Sequence, residues 1–353
     1  MASPGRSGHI RSRAPLRLGL AGGGTDVSPY SDEYGGAILN ITIDRYACAF
    51  LEPSPDGKIH FVAIDLEIEE AFDVDPEATK DSRLVLHAGV YRRMVSQFCG
   101  GKPFPVTVHS SVDAPAGSGL GSSSALVVAL VEAFRALLDL PLGPYDIARL
   151  AWEIERVDLG LAGGKQDQYA AAFGGVNFIE FMAGDRVIVN PLRISRAALS
   201  ELEASLITCF SGVSRRSEEI IIEQRKGMTD KSAQAIESLH RLKADASEMK
   251  LALLHADLPR MAEILHRSWL AKKSTATGVT TPLIDTLMET ALEAGALAGK
   301  VSGAGGGGFI MLLVPPEKRI PVIRALKAKN ALAEGAQFTN NGVESWALPN
   351  RAS

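Results

Sequence analysis

Apolar and polar positions alternate with a period of two at the start of the chain. Ile10, Leu16, Leu18 and Leu20 stand against Arg11, Arg13 and Arg17, which predicts a strand over residues 10–20. Residues 37–51 predict a second strand, and 58–73 predict strands with a turn between them. The pattern then lengthens: 84–98 predicts a helix, closed by Gly100, Gly101 and Pro103. A β-branched run at 106–112 predicts a strand, and 125–138, rich in Ala, Leu and Val, predicts a buried helix. Another helix is expected over 144–157, then a hairpin from 176–181 and 187–189 around Gly184-Asp185. Composition changes near 195–205. A strand at 205–210 is followed by charged helical sequence from Ser217 to about Lys273, with a break at Asp257-Leu258-Pro259. Thr281-Pro282 opens a helix in the expected way, with proline at its first position, and Gly295 ends it. A strand at 309–314, a helix at 316–329 and a strand at 344–348 follow. The alternation of strands and helices predicts an α/β protein.

Between the strand at 106–112 and the helix after it, Asp113 to Ala125 reads D-A-P-A-G-S-G-L-G-S-S-S-A. Gly117, Gly119 and Gly121 let the backbone approach a ligand and take positive φ at small cost. The first N–H groups of a helix lack partners within it, and its dipole is positive there, so this end favours phosphate. A small-residue turn before a core helix is the plainer reading, but capping needs one hydroxyl and Ser122, Ser123 and Ser124 supply three. Two further glycine-rich stretches stand at Ala21-Gly22-Gly23-Gly24-Thr25-Asp26 and at 300–308. The second formally fits G-x-G-x-x-G, yet a strand follows it where the dinucleotide fingerprint needs a helix. No G-x-x-x-x-G-K-[ST] occurs, because Lys58, Lys102, Lys165 and Lys300 follow Gly without a Ser or Thr behind them. What remains is a phosphate cradle built from several loops.

The length of 353 residues favours two domains. A net charge of −4 gives no reason to expect nucleic acid. Cys48, Cys99 and Cys209 are scattered and form no C-x-x-C pair, which suggests a reducing cytoplasm. No uncharged run reaches membrane-spanning length, and Met1 to His9 carries no apolar segment of a secretory signal.

Three glycine-rich loops and one acidic stretch, in this order, resemble the GHMP kinase superfamily. The first motif matches Arg13-Ala14-Pro15-Leu16-Arg17 through Asp26, the second Pro115 to Ser123, the third Lys300 to Gly308. Within the superfamily, A-P-L-R followed by A-G-G-G-T-D resembles bacterial D-glycero-D-manno-heptose 7-phosphate kinases. Galactokinases and mevalonate kinases have G-E-H where this chain has Gly22-Gly23-Gly24, which argues against galactose and mevalonate. The resemblance implies a ribosomal-S5-like N-terminal domain over 10–200 after a flexible 1–9, and a ferredoxin-like C-terminal domain over 201–353. It implies that ATP is the phosphoryl donor, gripped by Pro115, Gly117, Ser118, Gly119, Leu120, Gly121 and Ser122 to Ser124. Mg2+ would bind Ser123, with Ser122 as fallback, and Glu155, twelve residues ahead of Asp167; Glu153 and Asp158 are weaker candidates. Asp167 would be the catalytic carboxylate and Arg17 the cation that keeps it ionised and aimed. Gly23, Gly24, Thr25 and Asp26 would take the sugar, and Gly305 and Gly306 would lie near phosphates and substrate together. A phosphorylated sugar also needs cations, for which Arg215-Arg216 and Lys272-Lys273 are available; Arg215 and Lys273 are the choices. The adenine pocket has only neighbourhoods, 43–46 and 84–94. A kinase for fucose or arabinose, a silent ligand-binding regulator and an ATP-dependent decarboxylase are the alternative activities. A homodimer is an option the sequence does not decide.

Overall fold

The computed structural model describes residues 9–212, 220–223, 226, 228, 233–276 and 278–348. The expectations for residues 1–8, for Arg215-Arg216 and for the start of the charged helical stretch at Ser217 lie outside the described residues.

The first sheet is built around two long strands, β1 (Ile10–Ala21) and β2 (Gly36–Glu52), paired antiparallel along their whole length. β2 is long enough to serve two neighbours on its far side. Its second half pairs with β5 (Val106–Val112), and its first half with β6 (Val176–Phe181). Beyond β5 lie β3 (Ile59–Ala63), which is parallel to β5, and β4 (Ile68–Phe72); β7 (Val187–Pro191) completes the expected hairpin with β6. The second sheet has the order β11-β8-β10-β9, all antiparallel, from β8 (Leu206–Phe210), β9 (Ala298–Val301), β10 (Phe309–Leu313) and β11 (Leu332–Gly335). The chain then returns: β12 (Glu344–Ala347) pairs with β1 at the edge of the first sheet.

Among the helices, α1 is Tyr30–Tyr34, α2 is Val85–Phe98 and α3 is Ser122–Leu138. α3 is apolar on all sides because it is covered on all sides: Ala125 to Val131 are buried and α3 packs on β1 and β2. α4 (Pro144–Glu153) has proline at its start, and it passes into a single π turn at Ile154–Asp158 in place of the regular helix expected to 157. The Leu159 N–H reaches back five residues to the Ile154 carbonyl at 3.0 Å. α5 (Gln166–Phe173) and α6 (Arg196–Ser205) were not expected as helices. α7 (Ala233–Leu254) and α8 (Leu258–Lys273) are divided where Pro259 was read as a break, with Asp257 accepting from the Arg260 N–H as an N-cap. α9 (Pro282–Glu293) begins at Pro282 with Thr281 as its cap, and α10 (Arg319–Lys327) lies over the second sheet. The main core cluster joins residues of both sheets, Leu16 and Ile38 with Met311 and Leu313, so the two packing units are continuous.

Candidate functional site

The end of β1, the three glycine-rich loops and the heads of α3 and α5 enclose a cavity of about 430 Å³. Arg17 is the basic residue of β1 that is not at the surface. Arg11 and Arg13 lie over the rings of Phe50 and Tyr46 and pair with Glu52 and Glu344, whereas Arg17 is 4% exposed and turned into the cavity. Its Nε donates to Asp167 Oδ1 at 2.6 Å, and Nη1 donates to the Gly119 carbonyl at 2.6 Å. One guanidinium therefore fixes both the acidic residue and the second loop.

Asp167 sits in the first turn of α5, where the helix dipole favours a carboxylate. Its carboxyl carbon lies 3.2 Å from where a Cβ on Gly121 would stand. Gly121 is the residue before α3, so the acid faces the N-terminus that carries Ser122, Ser123 and Ser124. Gly117, Gly119 and Gly121 all have positive φ, the conformation that glycine takes at small cost.

Asp26 is buried against the same helix start. Its Oδ2 accepts the N–H groups of Lys165 at 2.9 Å and Gln166 at 3.0 Å, so it holds the head of α5 from far away in sequence. Gly164 leaves room for this approach: a Cβ there would fall 1.9 Å from Asp26 Oδ2. Burial pushes the Asp26 carboxyl up from its ordinary value, and the Gln166 N–H offsets part of that. Oδ1 makes a 3.5 Å contact with Gln166 Nε2, and Asp26 lines the cavity.

Glu155 and Arg156, both in the π turn, line the cavity wall. Glu155 Oε2 accepts from Gln168 Nε2, which also donates to Ser124 Oγ at 3.1 Å, tying α3, α5 and the π turn together. Glu155 Oε1 is buried with no hydrogen-bond partner, its nearest cation being Arg156 Nη1 at 3.6 Å. Burial raises the carboxyl, against the pull of Arg156. A buried, unsatisfied carboxylate oxygen and the exposed Ser123 line the same cavity, and oxygens of both kinds suit a hard divalent cation. Among the described residues no group of three or more His, Cys, Asp or Glu side chains is placed to hold a metal by itself.

Several expected ligands lie elsewhere. Thr25 is fully buried and its hydroxyl bonds the Gly22 and Ala37 carbonyls at 2.8 and 3.0 Å, so it shapes the first loop and does not line the cavity. Pro115 is also off the wall, Leu120 is packed in the core, and the Ser118 carbonyl accepts from Phe309 N–H at 2.9 Å, which anchors the loop to β10. In the third loop Gly303 and Ala304 face the cavity; Gly305 and Gly306 are held against Val279 instead. The lysine choice is corrected from Lys273 to Lys272. Lys273 Nζ lies 5.7 Å from the Trp269 ring on the outside, while Lys272 is on the wall. The buried stripe of α8, Met261, Leu265, Ser268 and Lys272, is the periodic signal that selects it. Arg156 and Gln166 also line the cavity and were not among the expected ligands.

Residues 85–175 match the family model described as GHMP kinases N terminal domain, and residues 249–332 match GHMP kinases C terminal. The D-glycero-alpha-D-manno-heptose 7-phosphate kinase of Campylobacter jejuni is 44% identical over 96% of this chain and 99% of its own. The chain belongs to the GHMP kinases. A crystal structure described as a D-glycero-D-manno-heptose 1-phosphate kinase from Bacteroides thetaiotaomicron overlays this GHMP kinase with a TM-score of 0.82. It shares 43% identity and covers 97% of this chain and 100% of that one. The L-fucokinase/L-fucose-1-P guanylyltransferase of Bacteroides fragilis is 26% identical over 93% of this GHMP kinase and 37% of its own length. The family and its two-domain α/β fold are those expected from the ordered glycine motifs.

Proposed function

We propose that this chain transfers the γ-phosphoryl group of ATP to the anomeric hydroxyl of D-glycero-D-manno-heptose 7-phosphate, on the way to GDP-heptose and surface polysaccharide. The observation that carries the reading is the seat of Asp167, paired with Arg17 and lying against Gly121 at the head of the serine-bearing helix. The choice of sugar is supported by 44% identity to the Campylobacter enzyme across nearly both chains.

In this reading the backbone N–H groups of the loop from 117 to 121 and of the α3 N-terminus grip the triphosphate. Ser123 Oγ and Glu155 Oε1 would hold Mg2+, which when bound neutralises charge on the phosphates. Asp26 Oδ1 accepts sugar hydroxyls, and Asp167 takes the proton of the attacking hydroxyl as the new P–O bond forms. Arg17 holds that carboxylate in position through its Nε donor. We assign the nucleotide and catalytic loops to a domain over 10–200 and the remainder to one over 201–353, whose last strand, β12, returns to pair with β1. The reaction belongs in the cytoplasm, in keeping with three free cysteines; among the described residues no helix is long and apolar enough to cross a membrane.

A coupled assay of ADP release against heptose 7-phosphate, unphosphorylated heptose, fucose and arabinose tests the reading. Turnover should be greatest with heptose 7-phosphate, and preference for another sugar would overturn that choice. Asp167→Asn should lower kcat by about 10²–10⁴-fold with ATP binding retained. Undiminished turnover in this variant would remove Asp167 from the chemistry.

A further inference from the structure

Lys272, one residue from the end of α8, is 5% exposed and opens onto the cavity between Asp26 and the third glycine loop. Its Nζ donates to the Gly303 carbonyl, and Gly303 itself lines the cavity. An ammonium has three donor protons, so two remain to face the cavity. The charged groups around it do not satisfy it. Lys300 and Arg17 carry the same sign, and the Asp26 carboxylate, which pulls the other way, has its Oδ2 engaged by the N–H groups of α5. Among the described residues no carboxylate forms an ion pair with Lys272. A buried cation without a counterion is costly, and here it stands where an anionic ligand would compensate it.

We propose that Lys272 is a phosphate-binding residue, contributed to the cavity from the second half of the chain, whose ammonium takes an anionic phosphate oxygen while its bond to Gly303 holds the third loop in place. The proposal rests on the phosphoryl-transfer reading given above, and deepens it. Two phosphates could occupy the position: the γ-phosphoryl of ATP or the phosphate that the sugar already carries. Burial and the two neighbouring cations lower the Lys272 pKa well below its ordinary value in the free protein, and a bound dianion would reverse that pressure.

Two substitutions separate charge from tethering. Lys272→Gln keeps an N–H donor for Gly303 and removes the charge; Lys272→Met removes both. Kinetics with heptose 7-phosphate, unphosphorylated heptose and ATP then identify the source. If the sugar phosphate is bound, its KM rises about tenfold or more in Lys272→Gln, with ATP and unphosphorylated heptose unaffected. If the γ-phosphoryl is bound, kcat falls by a similar factor with both sugars. Wild-type constants in Lys272→Gln overturn the proposal, even where Lys272→Met is impaired, because only the tether would then matter. A crystal structure of the wild-type chain with a non-hydrolysable ATP analogue and heptose 7-phosphate decides the point without a variant. A phosphate oxygen within hydrogen-bond reach of Lys272 Nζ supports it, and an ammonium bonded to Gly303 alone overturns it. Failure of the wild type to use any sugar phosphate would sink the heptose reading separately, and the complex with the ATP analogue alone would still test Lys272.

Discussion

Lys300, in β9 just ahead of the third loop, has its Nζ 3.3 Å from the Leu20 carbonyl, buried close to Arg17. Burial first, and Arg17 second, push this amine down to about 8 from its ordinary 10.5. The unfolded chain therefore holds more protons than the folded one between these values. Lys300 thus contributes stability that is complete above the unfolded value and is lost as pH falls through the folded one. Replacing it by Met should remove that dependence. In urea unfolding, wild type should gain relative to Lys300→Met on going from about pH 7 to about pH 10. Equal differences at the two pH values would show that the amine is not held down. At this scale the sequence was uneven. Arg17, Asp26 and Asp167 were legible because each stands in a motif with its own spacing. Lys272 was confused with Lys273 because a doubled lysine marks charge without direction, and the stripe through Ser268 resolves it. Thr25 was misread for a similar reason: a hydroxyl beside an acid is equally suited to closing its own turn.

Contact between the second and third loops depends on a missing side chain. Gly119 has φ +81°, and a Cβ there would meet the Ser302 carbonyl at 2.3 Å, while Ser302 Oγ donates to the Gly119 carbonyl at 2.9 Å. Gly119→Ala should force the loops apart, costing about 1–3 kcal/mol of stability and raising the KM for ATP. Thermal unfolding and steady-state kinetics check both effects; an unchanged KM would mean the loops tolerate separation. Among elements, the long strands and α3 were readable because their apolar patterns run for many residues, and the central loop because of its glycines and serines. β9 and β11, four residues each, were missed: Gly299 with Lys300 in β9 and Glu334-Gly335 in β11 leave neither an apolar run nor a β-branched one. α5 was hidden in a stretch of small residues, since its start is fixed by Asp26 from another part of the chain. The π turn at Ile154–Asp158, which carries Glu155 and Arg156, has no local signature.

Across the whole molecule the last strand closes the first sheet. Arg13 Nε donates to Glu344 Oε1 at 2.5 Å, and the Glu132–Arg135 pair on α3 meets Ser345, whose Oγ donates to Glu132. Ending the chain after Val343 should expose β1 as an edge and unpair these groups. A loss of about 1–3 kcal/mol is expected, in one cooperative transition because the main core spans both sheets. Calorimetry would check this, and two separate transitions would contradict the shared core. The return was readable only as a strand, because partner choice between distant strands is set by tertiary packing. It has a further consequence. The Leu348 N–H bonds the His9 carbonyl at 3.0 Å, and Ile10 stands opposite Ala347, so residues 9 and 348 are neighbours on one ladder. A circularly permuted gene that joins these two residues by a short linker, and begins instead in the exposed Gly100-Gly101 turn, should encode the same fold with its cavity untouched.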